Sequence, residues 1–263
     1  MPTGSIIIVG TGIKAGGHLT LEAQSVIERA DVLLFLVADP VTRTMLLDAN
    51  SSAVSLHTCY ADGKQRKQSY EEMVEKVLAP AAEGKFVCLA LYGHPGVFVF
   101  PSHEIVRRAR ARGITAVMQP GISAEDCLFA DAGFDPAASG CQSFEATDFL
   151  IYDRIFDRRC ALILWQIGLV GETDFRSNGY GNRGLDLLLK RLEDFYPSDH
   201  KVLIYEAAQY AVCEPRLDWT TLDELPNQRL TPISTLYLPP ATKSESNQSI
   251  VEELRRRAMN VTK

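Results

Sequence analysis

Short apolar runs alternate with amphipathic stretches along the first 120 residues of the chain. The runs at 5–9, 32–37 and 86–91 have the length and composition of buried strands, and 21–30 and 103–111 have helical spacing. The run at 86–91 is apolar at every position, as expected of a strand covered on both faces. Alternation of this kind is typical of βαβ units, so the sequence predicts a parallel sheet in a first α/β half.

The pattern changes after Pro120-Gly121. Ser123 is a suitable N-cap for a helix that runs through Ala130. Beyond that helix, longer irregular spans separate the apolar runs, and residues 176–184 are rich in Gly and Asn, as in a flexible loop. The elements predicted for this second half are strands at 161–166, 201–205 and 233–238 and helices at 185–195 and 248–259.

We therefore predict two α/β domains and a tail. The N-terminal domain contains the most regular alternation of strands and helices, and the C-terminal domain completes the fold. The predicted bounds are 1–118 for the N-terminal domain, 119–243 for the C-terminal domain and 244–263 for the helical tail.

Composition excludes several classes of protein. The 263 residues carry a net charge of −6, with 46% hydrophobic and 23% charged residues, which argues against disordered, fibrous and nucleic-acid-binding chains. No apolar run is long enough to span a bilayer, and the N-terminus lacks the pattern of a signal peptide, so we expect a cytoplasmic protein without membrane contact. The six cysteines are far apart and are predicted to be reduced core thiols.

A glycine turn, Gly10-Thr11-Gly12, follows the first predicted strand directly. Glycines at such a turn allow backbone N–H groups to approach an anionic ligand. The spacing departs from the dinucleotide-binding pattern G-x-G-x-x-G, because the next glycine is Gly16. Dinucleotide binding is therefore a minor alternative.

A second turn, Tyr92-Gly93-His94-Pro95-Gly96-Val97-Phe98, follows the most apolar strand. It is therefore expected at the carboxyl edge of the sheet, where α/β proteins bind ligands. Gly93 and Gly96 expose backbone that can run alongside a flat ligand such as a nucleoside. The alternative is a purely structural Gly-Pro turn.

These two turns, together with Pro120-Gly121-Ile122-Ser123-Ala124 after the fifth strand, resemble the tetrapyrrole methylase superfamily. The three motifs occur in the family's order and cover both halves of the chain. The resemblance implies two α/β domains of tetrapyrrole methylase type, with S-adenosylmethionine bound in the cleft between them.

A third stretch, residues 57–70, brings two tyrosines and an arginine together. Arg66 and Tyr70 are four residues apart and share a face if the helix at 69–78 extends back by one turn, and the Asp62-Gly63 turn brings Tyr60 near. A guanidinium beside a phenol lowers the phenol's pKa from its usual value near 10. The alternative is an exposed loop held by a Tyr–Arg contact.

With its surroundings this stretch resembles the borosin, or omphalotin-type, peptide backbone α-N-methyltransferases. Other matching stretches include residues 120–131, 165–168 and 205–208. The resemblance implies that Tyr70 removes the amide proton, that Arg66 stabilises the imidate oxygen, and that Tyr60 positions the peptide or shares the proton. His57 departs from the pattern, since the fungal enzymes tend to carry another tyrosine there.

The resemblance also implies the residues that bind the methyl donor. His94 has a second interpretation, as a histidine that caps its own turn. No metal site is expected, because sulfonium chemistry needs none and the histidines have no ligand spacing. The donor residues carried over from the family are Tyr92, His94, Val97, Ser123, Ala124, Gln166, Ala207, Ser234 and Thr235.

The residues from Arg255 to Lys263 are basic and polar, without an apolar run resembling a substrate peptide. We therefore expect a split system that methylates a separate precursor peptide in trans. The family implies a homodimer, which would make a heterotetramer with the precursor. The alternatives are a methyltransferase acting on a tetrapyrrole or other small molecule, and a catalytically silent module that binds S-adenosylmethionine or a peptide.

Overall fold

The computed structural model describes residues 4–177 and 179–260. The last three residues of the basic tail, 261–263, lie outside the described residues. In the first half, the elements are β1 (Ser5–Gly10), α1 (Leu21–Arg29), β2 (Val32–Leu36), α2 (Pro40–Ala49), β3 (Val54–Ser55), α3 (Arg66–Ala82), β4 (Phe86–Leu91), α4 (Phe100–Ala111) and β5 (Thr115–Met118).

The second half contributes the remaining elements. They are α5 (Ala124–Ala132), α6 (Pro136–Ser139), β6 (Cys141–Glu145), α7 (Ala146–Ile151), β7 (Ala161–Trp165), α8 (Leu185–Glu193), β8 (Lys201–Glu206), β9 (Arg216–Thr221), β10 (Thr235–Leu238) and α9 (Gln248–Asn260). The predicted domain boundaries at residues 118 and 243 stay a prediction.

The first sheet is parallel and has the strand order β3-β2-β4-β1-β5. β4 lies at its centre, between β2 and β1, and Val87–Leu91 is buried on both faces. Helices α3 and α4 pack on one face through Ile8 and Leu89, and α1 packs on the other through Leu33 and Phe35. This central position explains why residues 86–91 are apolar throughout, as a parallel strand requires.

The second sheet is mixed and has the strand order β6-β7-β10-β8-β9. β6 is parallel to β7, whereas β7, β10, β8 and β9 pair antiparallel in that order. β6 and β9 are edge strands that the apolar pattern did not predict, because β6 is only half-buried and much of β9 is exposed. The predicted fold class, two α/β units, is confirmed.

Helix termini explain two features of the site. α5 begins after Ser123, whose hydroxyl accepts from the Asp126 N–H while the Asp126 carboxylate accepts from the Ser123 N–H; this is a complete capping box. α3 begins at Arg66, ahead of the predicted residues 69–78. Arg66 and Tyr70 therefore lie one helical turn apart on the same face.

An apolar cluster joins the two halves. Ile13 and Tyr92 from the first half pack with Leu203, Tyr205 and Tyr237 of the second sheet. The Tyr205 hydroxyl also donates to the Asp131 Oδ2 atom of α5 at 2.7 Å, which satisfies a phenol that would otherwise be buried without a partner. The carboxyl ends of β4, β7 and β8 border one cleft.

Backbone hydrogen bonds join the two glycine turns of the first half. The Gly12 N–H donates to the Gly93 carbonyl oxygen at 3.3 Å, and the Gly93 N–H donates to the Gly12 carbonyl oxygen at 3.0 Å. Both residues have left-handed φ angles, of 72° and 70°. A Cβ atom on Gly12 would lie 2.1 Å from the Cβ atom of His18, so this approach admits only glycine.

Two further predictions were tested. Cys59, Cys88 and Cys127 are buried free thiols and Cys141 and Cys160 are half-buried, but Cys213 is exposed on a turn and is not a core thiol as predicted. Within residues 4–177 and 179–260, no helix has the length and apolar character needed to cross a membrane.

We predict that Gly12→Ala destabilises the protein more than Gly113→Ala. Gly113 has nearly the same φ angle, 73°, but a Cβ atom there meets nothing within 4 Å. Gly113→Ala should lower the free energy of unfolding by about 1–2 kcal/mol through backbone strain. Gly12→Ala should lower it by about 1–3 kcal/mol more through overlap. Urea denaturation of both variants measures the difference, and equal losses would contradict the steric argument.

Candidate active site

The cleft between the two sheets contains a cavity of about 220 Å³. Its walls come from the turn after β4, the start of α5, the ends of β7 and β8, and the turn into β10. Eight of the nine residues predicted to bind the donor line it: Tyr92, His94, Val97, Ser123, Ala124, Gln166, Ala207 and Thr235.

The turn after β4 is fixed by hydrogen bonds. The Tyr92 N–H donates to the Leu36 carbonyl oxygen at 3.2 Å, and burial raises the pKa of the Tyr92 phenol to about 12. The Gly96 N–H donates to Nδ1 of His94 at 2.9 Å. His94 therefore caps its own turn and also lines the cavity. A structural role in the turn is thus compatible with a position at the predicted donor site.

Two non-glycine residues in the left-handed region border the cavity. Phe98 has a φ of 54° and Gln166 a φ of 60°. Such backbone conformations are uncommon for residues with a Cβ atom and are concentrated at functional sites. Both of these uncommon backbone conformations lie in the wall of the cavity.

Ser234 is the exception among the predicted donor residues. It is fully buried, and its hydroxyl donates to Glu206 Oε1 at 2.5 Å. The Thr231 hydroxyl donates to the same oxygen at 2.9 Å, and Arg216 donates to it at 3.0 Å. Ser234 therefore braces the turn that leads to Thr235 instead of lining the cavity.

A smaller recess of about 120 Å³ adjoins the cavity. Tyr60 and Tyr70 form part of its wall, and the rest is apolar, including Met73. Phe98 and Val99 border both the recess and the larger cavity. This short segment is thus a wall that the recess and the predicted donor cavity share.

Burial controls the ionisation of Tyr60. Desolvation raises the pKa of its phenol well above the usual range, and the neighbouring Tyr70 phenol raises it further, whereas the Arg66 guanidinium lowers it. The expected lowering of a phenol pKa by the cation is therefore outweighed at Tyr60. This phenol stays protonated at neutral pH.

The structure brings Tyr60, Arg66 and Tyr70 together and adds two rings that sequence reasoning missed. Phe175 stacks on Tyr60, with ring centroids 4.9 Å apart, and the Tyr180 ring lies 5.3 Å from the Arg66 guanidinium carbon. Both belong to the loop after β7, more than 100 residues further along the chain. No local pattern links them to residues 60–70.

His57 lies at the rim of this cluster. Its Nε2 atom is 2.8 Å from the Val37 carbonyl oxygen, and its ring centroid is 6.2 Å from that of Tyr60. Since a carbonyl oxygen only accepts, Nε2 carries the proton in this contact. The backbone of β2's end thereby fixes the ring.

The first glycine turn is not an anion-binding loop. The Thr11 and Gly12 N–H groups donate to the carbonyl oxygens of Leu91 and Gly93. The N–H groups of Ile13 and Lys14 both donate to Nδ1 of His18, at 3.3 and 3.2 Å. The turn's amides are thus bonded within the protein, and the minor dinucleotide alternative loses its physical basis.

Comparison with protein families agrees with this geometry. A family model described as tetrapyrrole (corrin/porphyrin) methylases matches residues 5–216. The chain belongs to the tetrapyrrole methylase family. Members of this family are methyltransferases that use S-adenosylmethionine as methyl donor, as the sequence predicted.

Borosin-type proteins are the curated relatives. The chain is 42% identical over 255 residues to a methyltransferase/ribosomally synthesised dendrothelin A precursor of Dendrothele bispora, and 41% identical to the omphalotin A precursor of Omphalotus olearius. Each alignment covers 95% of this chain and 61% of the relative. A type III borosin precursor of Anomoporia bombycina is 42% identical, with 30% of its length covered. The predicted borosin resemblance is confirmed.

Solved structures support the fold. The uroporphyrin-III C-methyltransferase of Thermus thermophilus superposes with a TM-score of 0.65 and 19% identity, covering 91% of this chain and 93% of that one. A cobalt precorrin-4 methyltransferase gives a TM-score of 0.61 at 16% identity and covers 90% of this chain and 95% of that one. At these identities the likeness concerns the fold.

We predict that Tyr60 makes stability depend on pH in the alkaline range. The unfolded phenol releases its proton near pH 10, whereas the folded one keeps it, so Tyr60's contribution is complete below pH 10 and is lost as pH rises above it. Urea unfolding between pH 7 and 11 should show a shallower alkaline decline in Tyr60→Phe than in the wild type. The matched control is Tyr152→Phe at an exposed ring, and equal slopes in wild type and Tyr60→Phe would contradict the prediction.

Proposed function

We propose that this chain is a peptide backbone α-N-methyltransferase that uses S-adenosylmethionine. The observation that carries the proposal is the position of Tyr60 and Tyr70 in the wall of a small apolar recess that adjoins the larger cavity, with the Arg66 guanidinium close enough to lower the pKa of Tyr60. Identity of about 40% to borosin precursors over 95% of the chain supports it.

The cavity suits a donor with a flat nucleoside and a charged amino-acid end. Tyr92 and Trp165 offer aromatic faces, Gly93 offers backbone without a side chain, and Gln166 offers an amide. These residues would hold S-adenosylmethionine in the cleft. The donor would supply an electrophilic methyl group on its sulfonium sulfur.

The acceptor nitrogen needs assistance. An amide lone pair is delocalised into the carbonyl group, so the nitrogen becomes nucleophilic only as its proton leaves. Tyr70 is proposed as the general base, and the Arg66 guanidinium as the group that stabilises charge developing on the carbonyl oxygen. The apolar walls of the recess exclude water and strengthen both interactions.

We propose different roles for the two tyrosines, because burial raises the pKa of Tyr60 well above its usual range. A neutral phenol donates a hydrogen bond, so Tyr60 is assigned to orienting its neighbour Tyr70 or the peptide carbonyl instead of removing a proton. This assignment narrows the predicted role of Tyr60 to positioning. Proton removal is left to Tyr70.

The recess favours a peptide over a tetrapyrrole as acceptor. About 120 Å³ with apolar walls accommodates a side chain or one peptide unit, and the residues around it offer no cationic group for a macrocycle's carboxylates apart from Arg66 nearby. A tetrapyrrole substrate needs a broad binding trough, whereas a peptide backbone fits a narrow recess.

The acceptor is proposed to be a separate precursor peptide, and the enzyme a homodimer that forms a heterotetramer with it. Light scattering of the chain alone and with the precursor measures the assembly. A mass equal to a single 29.1 kDa chain in both samples would contradict the dimer.

We predict that the chain, incubated with S-adenosylmethionine and candidate precursor proteins encoded beside it, adds methylene masses to backbone amides. Mass spectrometry with fragmentation locates each gain. Tyr70→Phe should lower the rate about 10²–10⁴-fold as a lost general base, and Arg66→Ala about 10²–10³-fold as a lost oxyanion partner. Donor binding, measured by calorimetry, should persist in both variants.

Tyr152→Phe, at an exposed ring outside the cleft, is the matched control and should retain the wild-type rate. Methylene mass gains on the chain itself would show that the chain carries its own substrate peptide. Donor binding without gain on any peptide would overturn the proposed function and make tetrapyrroles the next acceptors to test. Full activity in Tyr70→Phe would remove that residue from the mechanism.

A further inference from the structure

A loop of the second half reaches across to the catalytic cluster of the first. We call it the strap and define it as residues 171–177 and 179–184. Its two ends lie side by side, because the Gly184 N–H donates to the Val170 carbonyl oxygen at 3.2 Å. Hydrogen bonds attach the strap at both its base and its tip, and the flexibility expected for residues 176–184 from their Gly and Asn content stays a prediction.

A buried carboxylate braces the base of the strap. The Glu172 side chain is 4% exposed, and Nε atoms of Arg176 and Arg183 lie 3.7 and 3.8 Å from its oxygens. A buried charge is tolerated when it is paired with opposite charge. Glu172 therefore holds two other points of the strap close to its base.

The tip of the strap pairs with the loop before α3. The Gly63 N–H donates to the Phe175 carbonyl oxygen and the Phe175 N–H to the Lys64 carbonyl oxygen, each at 3.0 Å. The Arg66 N–H donates to the Thr173 carbonyl oxygen at 3.2 Å. This short antiparallel ladder attaches the strap to the residue that begins the catalytic helix.

A charged tether completes the attachment. The Asp62 carboxylate accepts from both the backbone N–H and the hydroxyl of Ser177, each at 2.6 Å. Bonds to the ionised form lower the pKa of Asp62. The tether is consequently present at neutral pH and weakens as the carboxylate is protonated.

The strap supplies a ring to Arg66 without supplying an opposite charge. The Tyr180 ring lies 5.3 Å from the guanidinium carbon, within the range of a cation–π contact, and the Tyr180 hydroxyl accepts from the Arg176 N–H at 3.2 Å. Among the ion pairs within residues 4–177 and 179–260, none involves Arg66. Its charge is therefore oriented but not neutralised.

This distinction matters for chemistry. A carboxylate partner would hold the guanidinium in place but would also cancel the positive charge that a developing oxyanion requires. An aromatic face restricts the side chain's rotamers and leaves the N–H groups at the edge of the plane available as donors. The arrangement suits an arginine that must act on a transient negative charge.

We propose that Tyr180 is a positioning residue that holds Arg66 in its active orientation through the face of its ring. The inference rests on the proposed function, since it gives Arg66 an oxyanion to stabilise. Tyr180 would act through Arg66, since it lines neither the donor cavity nor the recess.

The test compares Tyr180→Leu with Tyr180→Phe in steady-state methylation of a precursor peptide that the wild type methylates. Tyr180→Leu removes the ring and should lower kcat about tenfold, with the KM for S-adenosylmethionine unchanged. Tyr180→Phe keeps the ring face and should restore kcat. Equal losses in both variants, or no loss in Tyr180→Leu, would overturn the proposal.

Tyr152 provides a matched control because it makes the same contact elsewhere. The Arg154 guanidinium carbon lies 4.8 Å from its ring, which is exposed and outside the cleft. Tyr152→Leu should leave kcat unchanged. A loss equal to that of Tyr180→Leu would indicate a general effect of removing a surface tyrosine and would overturn the assignment.

A double-mutant cycle separates action through Arg66 from independent action. Arg66→Lys keeps a charge but loses the planar guanidinium, so adding Tyr180→Leu to it should cost much less than in the wild type. Additive losses would overturn the proposal. Thermal melts of each variant identify any general loss of folding.

One measurement does not depend on turnover. The side-chain resonances of Arg66 in NMR spectra should carry a ring-current shift that Tyr180→Phe keeps and Tyr180→Leu removes. If the shift is absent from the wild type, the contact itself is wrong. If the shift is present but no peptide is methylated, the proposed function fails while the contact stands, and the positioning role falls with the function.

Discussion

The cleft depends on a contact between backbone turns that leaves no room for side chains. Gly12 and Gly93 exchange two hydrogen bonds, and a Cβ atom on Gly10 would lie 2.2 Å from the Gly93 carbonyl oxygen. Gly121, which opens the second half, packs less tightly against the same turn: its Cβ atom would lie 3.2 Å from the Gly10 Cα atom. The three glycine motifs are therefore one packing unit, which fixes the turn after β4 against the start of the second half.

Within the cluster of Tyr60, Arg66 and Tyr70, burial affects the ionisation of Tyr60. Burial keeps Tyr60 protonated even though a guanidinium lies nearby, because desolvation of a phenolate outweighs the attraction of a partly exposed cation. The same dry recess strengthens any charge interaction that forms during the reaction. The apolar surroundings thus raise the pKa of Tyr60 and favour the proton transfer proposed for Tyr70.

Much of the first half follows from its sequence. β4 is apolar throughout because it is buried at the centre of a parallel sheet, and Ser123 caps α5 through a local motif. The edge strands β6 and β9 escaped prediction because exposed, half-polar strands lack a hydrophobic period. Ser234 and Tyr180 depend on tertiary contacts with Glu206 and Arg66, and no spacing in the chain encodes such contacts.

The strap has a consequence for the order in which the molecule becomes competent during synthesis. Residues 60–70 leave the ribosome early, with the sheet on which they are built, yet their ring neighbours Phe175 and Tyr180 follow only after more than 100 further residues. A nascent first half therefore exposes an incomplete cluster. The cluster is complete only once the second half has folded against the first, so its assembly requires the synthesis of both halves.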